Sequence, residues 1–159
     1  MNLAQKIEAV LKGYLSDPNR CLPPLAAVPF FTGRGSADLP NDRVQIVTVE
    51  VTQDQEVAST VLDRKARVQL LVSTQGDDST ADLHEKRVAQ VADFLDDVNA
   101  LRLALNPPAS GPDARVIKDF YLYDIWYDGP EREATETAWE DLFTLFVVCL
   151  GDSGTNPPS

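Results

Sequence analysis

Apolar positions along the chain follow two different periods. Leu3, Ile7, Val10, Leu11 and Tyr14 recur at helical steps, with Gln5, Lys6, Glu8 and Lys12 between them. That spacing predicts an amphipathic helix from about Asn2 to Leu15. Pro18 disfavours helix at the residue before it, so the helix stops at Ser16-Asp17-Pro18. His84, Val88, Val91, Leu95 and Val98 repeat the pattern, widened by Leu83 and Phe94, and predict a second helix from about Ala81 to Asn99. Thr80 or Ser79 is its expected N-cap, with Asp82 favourable in the first turn. Leu101 to Leu105 reads as a short appended turn.

Elsewhere the period is two. Val44 to Val51 is rich in β-branched residues, and Ala66, Val68, Leu70 and Val72 alternate with Arg67 and Gln69. The polar connection 52–65, with Asp54, Glu56 and Asp63, reads as a long hairpin arm and not a tight turn. Val116 to Tyr127 and Thr137 to Leu150 read as two further strands, separated by a turn at Asp128-Gly129-Pro130. The order α-β-β-α-β-β predicts one α+β domain over residues 1–150. Its expected form is an antiparallel, mainly four-stranded sheet with both helices on one face. Two segments fall outside this pattern. Residues 16–42 hold Pro18, Pro23, Pro24, Pro29 and Pro40, and are expected to form an extended loop packed on the body or on a neighbouring chain. The polar tail 151–159 is expected to be mobile.

The last strand raises a question of burial. Phe143, Leu145, Val147 and Cys149 point one way, while Leu142, Phe146, Val148 and Leu150 point the other. The strand before it is also apolar on both parities: Tyr121, Tyr123, Ile125 and Tyr127 on one, Phe120, Leu122 and Trp126 on the other, interrupted by Asp124. Two helices cover one sheet face only. Soluble monomers avoid large exposed apolar patches, so the second face is expected to meet another copy or the Pro-rich loop. The candidate subunit interface is Phe30, Phe31, Tyr121, Tyr123, Trp126, Tyr127, Phe146 and Val148.

Charge narrows the possible partners. The 159 residues carry a formal net charge of −11. Phosphate backbones and anionic membrane surfaces are bound by clustered Lys and Arg, so the balance argues against both. The aromatic strand therefore reads as core and interface, not as a base-stacking platform. No stretch approaches the ~20 apolar residues of a membrane span, and the N-terminus does not read as a secretory signal. Cytoplasmic folding with Cys21 and Cys149 as ordinary thiols is expected.

Candidate chemistry is sparse. His84 is expected to be a partly exposed helix residue, and Asp77, Asp78, Asp93, Asp96 and Asp97 a solvated acidic surface. Gly33-Arg34-Gly35 is too short for a phosphate loop. Ser36, Ser59 and Ser73 lack a nucleophile-elbow context. No catalytic, cofactor or metal site is expected, and the chain reads as a non-enzyme.

Taken in order, MNLAQKIEAVLKGYL, the loop with PFFTG, VQIVTVEVT, ARVQLLVST, LHEKRVAQVADFLDDV, DFYLYDIWYDG and TAWEDLFTLFVVCL resemble the tail terminator, or tail-completion, proteins of long-tailed bacteriophages. The resemblance spans about residues 1 to 150 and lies in order and texture. It implies a virion structural protein assembled in the host cytoplasm. Such a protein forms a homo-oligomeric ring, a hexamer, that caps the tail tube and joins it to the head connector or stopper. DNA would pass through without specific binding. Other neck proteins and tail-tube subunits share this texture. A small α+β enzyme with Arg34 or Arg43 lining a ligand pocket, and an adaptor binding one heterologous partner, are the readings from other classes.

Overall fold

In a computed structural model the chain is described over residues 3–33, 39–58, 61–105 and 120–152. Side chains are described there except at 53–58, 61–63, 120–123 and 150–152. The architecture is α+β, as the periodicities predict. Among the described residues it has three helices, α1 (Leu3–Leu15), α2 (Ala81–Asp96) and α3 (Val98–Leu105), and five strands. The strands are β1 (Phe30–Thr32), β2 (Arg43–Ala58), β3 (Val61–Gln75), β4 (Phe120–Ala134) and β5 (Ala138–Asp152), in sheet order β1-β2-β3-β5-β4.

The expected four-stranded antiparallel sheet is β2-β3-β5-β4, but it is not the whole sheet. β1 joins β2 in parallel, with Phe30 opposite Val44 and Thr32 opposite Ile46, so the sheet is mixed. Three residues between Pro29 and Gly33 are too few to show a period of two, and the proline-rich composition masks them. The segment read as one extended loop thus also contains a short 3-10 turn at Leu25–Ala27. Asp97 adds the third helix. Its backbone N–H closes α2 onto Asp93 O, and its carboxylate accepts the Ala100 N–H at 3.2 Å, capping α3. The start of α2 also differs from expectation. Thr80 makes no side-chain cap, and Asp77 instead accepts the Ser79 N–H at 3.0 Å in the 3-10 turn just before the helix.

The expected turn at Asp128-Gly129-Pro130 lies inside β4. Gly129, with φ of 106°, takes up a register shift between Asp128 and Glu131, and β4 continues to Ala134. An edge strand tolerates such a bulge and its proline. The chain reverses at 135–137, closed by Thr135 N–H to Ala138 O at 2.9 Å. The arm is likewise part of the sheet: β2 and β3 stay paired to Ala58 opposite Val61, and β5 follows β3 to Asp152 opposite Val61. Asp54, Glu56 and Asp63 lie on these strand extensions. Residues 116–119 and 153–159, expected as strand start and tail, lie outside the described residues.

One sheet face and the three helices share a single core. Val44, Ile46, Val68, Leu70, Val72, Phe143, Leu145 and Val147 are fully buried against Ile7, Leu11, Leu15, Val91 and Leu95. Cys149 and Cys21 are buried, and burial pushes the Cys21 thiol up from its ordinary value. Glu8, polar in the helical pattern, is nevertheless buried. Its Oε2 accepts the Thr48 N–H at 2.9 Å, just past the end of the short β1 ladder, and occupies an edge donor there.

Candidate functional site: the outer sheet face

The register sorts the candidate interface residues onto different surfaces. Trp126, Phe146 and Val148 fall on the outer face, the one turned away from the helices. Trp126 stacks on Phe146 at 5.4 Å between ring centroids and 15° between planes. Trp126 is 46% exposed, whereas Val148 is buried beside it. With Thr52, Lys65 and the Arg67–Glu50 ion pair (3.4 Å), these residues line a groove of about 200 Å³. Phe31 lies opposite Gln45 near the β1 edge of the same face.

Tyr127 and Phe30 are not part of that surface. Tyr127 points inward, packs on Phe143 with centroids 6.0 Å apart, and donates its O–H to Asp96 of α2. That bond, with burial second, pushes the phenol up to about 12. Phe30 packs against the core beside Val44. Tyr121 lies opposite Leu150, and a register shift between Leu122 and Asp124 interrupts the alternation read along this strand. The four residues Tyr121, Tyr123, Ile125 and Tyr127 therefore do not share an unbroken parity. The candidate arm residues Asp54, Glu56 and Asp63 lie where only the backbone is described.

On the inner side, His84 is not partly exposed: it is fully buried at the centre of a polar clasp. Its Nδ1 lies 2.8 Å from Thr74 Oγ1 and its Nε2 lies 2.9 Å from Asp141 Oδ1. A carboxylate only accepts, which assigns a proton to Nε2. Arg132 donates to both oxygens of Asp141, Nε to Oδ1 at 2.8 Å and Nη2 to Oδ2 at 3.2 Å, and pairs with Glu85. Arg87 donates to Thr74 Oγ1 at 3.2 Å and to Asp42 Oδ1 at 3.1 Å. Trp139 covers the imidazole, 6.5 Å away and nearly parallel, and anchors its indole N–H on Asp77 O.

The order Thr74–His84–Asp141 has the connectivity of a nucleophile, base and orienting acid. Thr74 and His84 are both fully buried, so this hydroxyl is enclosed by protein. The cluster joins α2 to β3, β4 and β5 and aligns helix with sheet. Sequence reasoning missed it, though a signal was present: His84 sits on the apolar stripe of its helix, and Asp141 shares the inward parity of Phe143 and Leu145. The acidic cluster also has structural work beyond solvation, since Asp97 pairs with Arg20 at 3.0 Å as well as capping α3.

A second groove, about 240 Å³, lies between α2, α3 and β4, lined by Leu95, Leu101, Ile125, Tyr127 and Leu145. Arg43 lies on β2 and does not line it, and Arg34 lies outside the described residues. Among the described residues no group of three or more His, Cys, Asp or Glu is placed to hold a metal ion, and no helix is long and apolar enough to cross a membrane. No protein-family model matches the chain, and no curated protein matches it.

Proposed function

We propose that this chain is a structural subunit of the tail-terminator kind, which closes into a ring, caps a tail tube and joins it to the head connector. The reading is carried by the outer face of β4 and β5. Trp126 and Phe146 form an aromatic pair there, opposite the face that all three helices cover. Burying such a pair against another copy removes apolar surface from water at about 25 cal/mol per Å². The net charge of −11 supports it too, since an acidic wall repels passing phosphates. The paired ends of β2, β3 and β5, at Ala58, Val61 and Asp152, offer a contact for a stacked ring.

The native mass of the protein across concentrations, alone and mixed with tail-tube protein, tests this. A closed six-copy particle, or one formed only on the tube, is the expected result. A single copy under both conditions overturns it. Growth into open polymers by the protein alone points to a tube subunit instead, because a terminator must stop at closure.

A further inference from the structure

The outer face has a charge pattern as well as an apolar centre. Its residues lie in cross-strand rows running β2, β3, β5, β4. One row is Arg43, Ser73, Glu140, Glu133, and the next is Gln45, Leu71, Leu142, Glu131. Cations lie on the β2–β3 side, at Arg43, Lys65 and Arg67, with Glu50 of β2 paired to Arg67 among them. The β4 side is acidic, with Asp124, Asp128, Glu131 and Glu133. Glu133 and Glu140 are direct cross-strand partners, a like-charge juxtaposition that destabilises a sheet. Between the two halves, Leu71 and Leu142 face each other across the central strands and are only half-buried.

We propose that this face binds a second copy of itself, sheet to sheet, about a two-fold axis parallel to the strands between β3 and β5. Such an axis keeps each row and reverses its order. It sets Arg43 over Glu133 of the other copy, near Glu140, so the like-charge pair of each copy receives a cation. It sets Leu71 over Leu142 twice, at the centre. Arg67 falls over Phe146, where a guanidinium is attracted to an aromatic face, and its ion-pair partner Glu50 falls over Trp126. Gln45 Oε1 accepts from Arg43 Nε at 3.1 Å and Pro40 O from Nη1 at 2.9 Å, which holds the guanidinium over the face before any partner arrives. The perpendicular in-plane axis would stack the acidic β4 side on itself, so the charges select one arrangement. Aligned sheet packing is the ordinary geometry for two such faces.

The inference rests on the proposed function only in taking this face as the place where copies meet. It adds a regulation: a two-fold contact closes on itself, so the pair competes with a ring seam on the same face and stores the subunit until a tube recruits it.

The test uses single variants and their mixture. In R43E, and separately in E133R, the pair meets like charges at both symmetric positions, and its dissociation constant should rise on the order of a hundredfold. Mixing the two variants restores opposite charges at both positions, so a mixed pair should form with about the wild-type constant. Sedimentation and native mass spectrometry count the copies, and circular dichroism checks folding. A wild-type pair, lost in each variant and regained on mixing, supports the proposal. A wild-type monomer, or a pair indifferent to these substitutions, overturns it. A closed ring at every dilution also overturns it while upholding the ring. A pair that never gives a ring with tube protein upholds it and removes the ring.

Discussion

Removing Asp141 tests whether the buried clasp holds helix to sheet. Asp141 is 2% exposed and serves His84 and Arg132 at once. In D141A, the His84 Nε2 proton stays buried with no acceptor, at a cost of about 1–3 kcal/mol. Arg132 loses two hydrogen bonds, but its side chain is 38% exposed and keeps Glu85, so water replaces much of the loss and the added cost stays under about 1 kcal/mol. The total is about 1–4 kcal/mol. For a chain of this length that lowers Tm by roughly 2–16 °C. Urea unfolding followed by circular dichroism measures it as a fall in midpoint at constant m. E85A is the control, since Glu85 is 54% exposed and pairs with Arg132 from outside, at a cost below about 1 kcal/mol. A double-mutant cycle with H84A should show coupling above about 0.5 kcal/mol. If D141A loses no more than E85A and adds independently to H84A, the clasp does not join α2 to the sheet and this account of it is wrong.

The Tyr127 phenol should titrate late. Its folded value of about 12 lies above the ordinary 10.0, so its contribution to stability is complete below pH 10 and lost as pH rises through 12. Absorbance at 295 nm should show a late component that shrinks by one phenol in Y127F, beside Tyr14, which burial also raises, and a wild-type titration complete by pH 11 contradicts this. F143A empties a fully buried site and should cost about 3–5 kcal/mol in urea unfolding. G129A should destabilise by about 1–3 kcal/mol, because alanine is strained at φ of 106° and its Cβ would lie 2.7 Å from Leu142 O. G13A is its opposite: a Cβ there meets nothing within 4 Å in a helix, so thermal melting should show about 0.5–1 kcal/mol of gain.

Much of the fold was already present in local periodicity. The stripe Leu3, Ile7, Leu11 makes α1, and the alternation Ala66, Val68, Leu70, Val72 makes β3, because each pattern buries one side of its own element. The doubled apolar parity of β5 likewise named Phe146 and Val148 as a second surface. Features that depend on where another segment lies were not legible. β1 is a strand because Val44 to Ile46 lie beside it, and Asp128-Gly129-Pro130 is a bulge because β5 continues past it. Tyr127 turned inward because Asp96 awaits its hydroxyl, and His84 is buried because Thr74 and Asp141 arrive from two different strands to satisfy its nitrogens. The sequence by itself determined which residues seek burial and with what period, since that follows from side-chain polarity along one element. Only the tertiary structure decided which polar groups are buried with partners and which charges share a row on the outer face. Those outcomes depend on register between segments far apart in the chain.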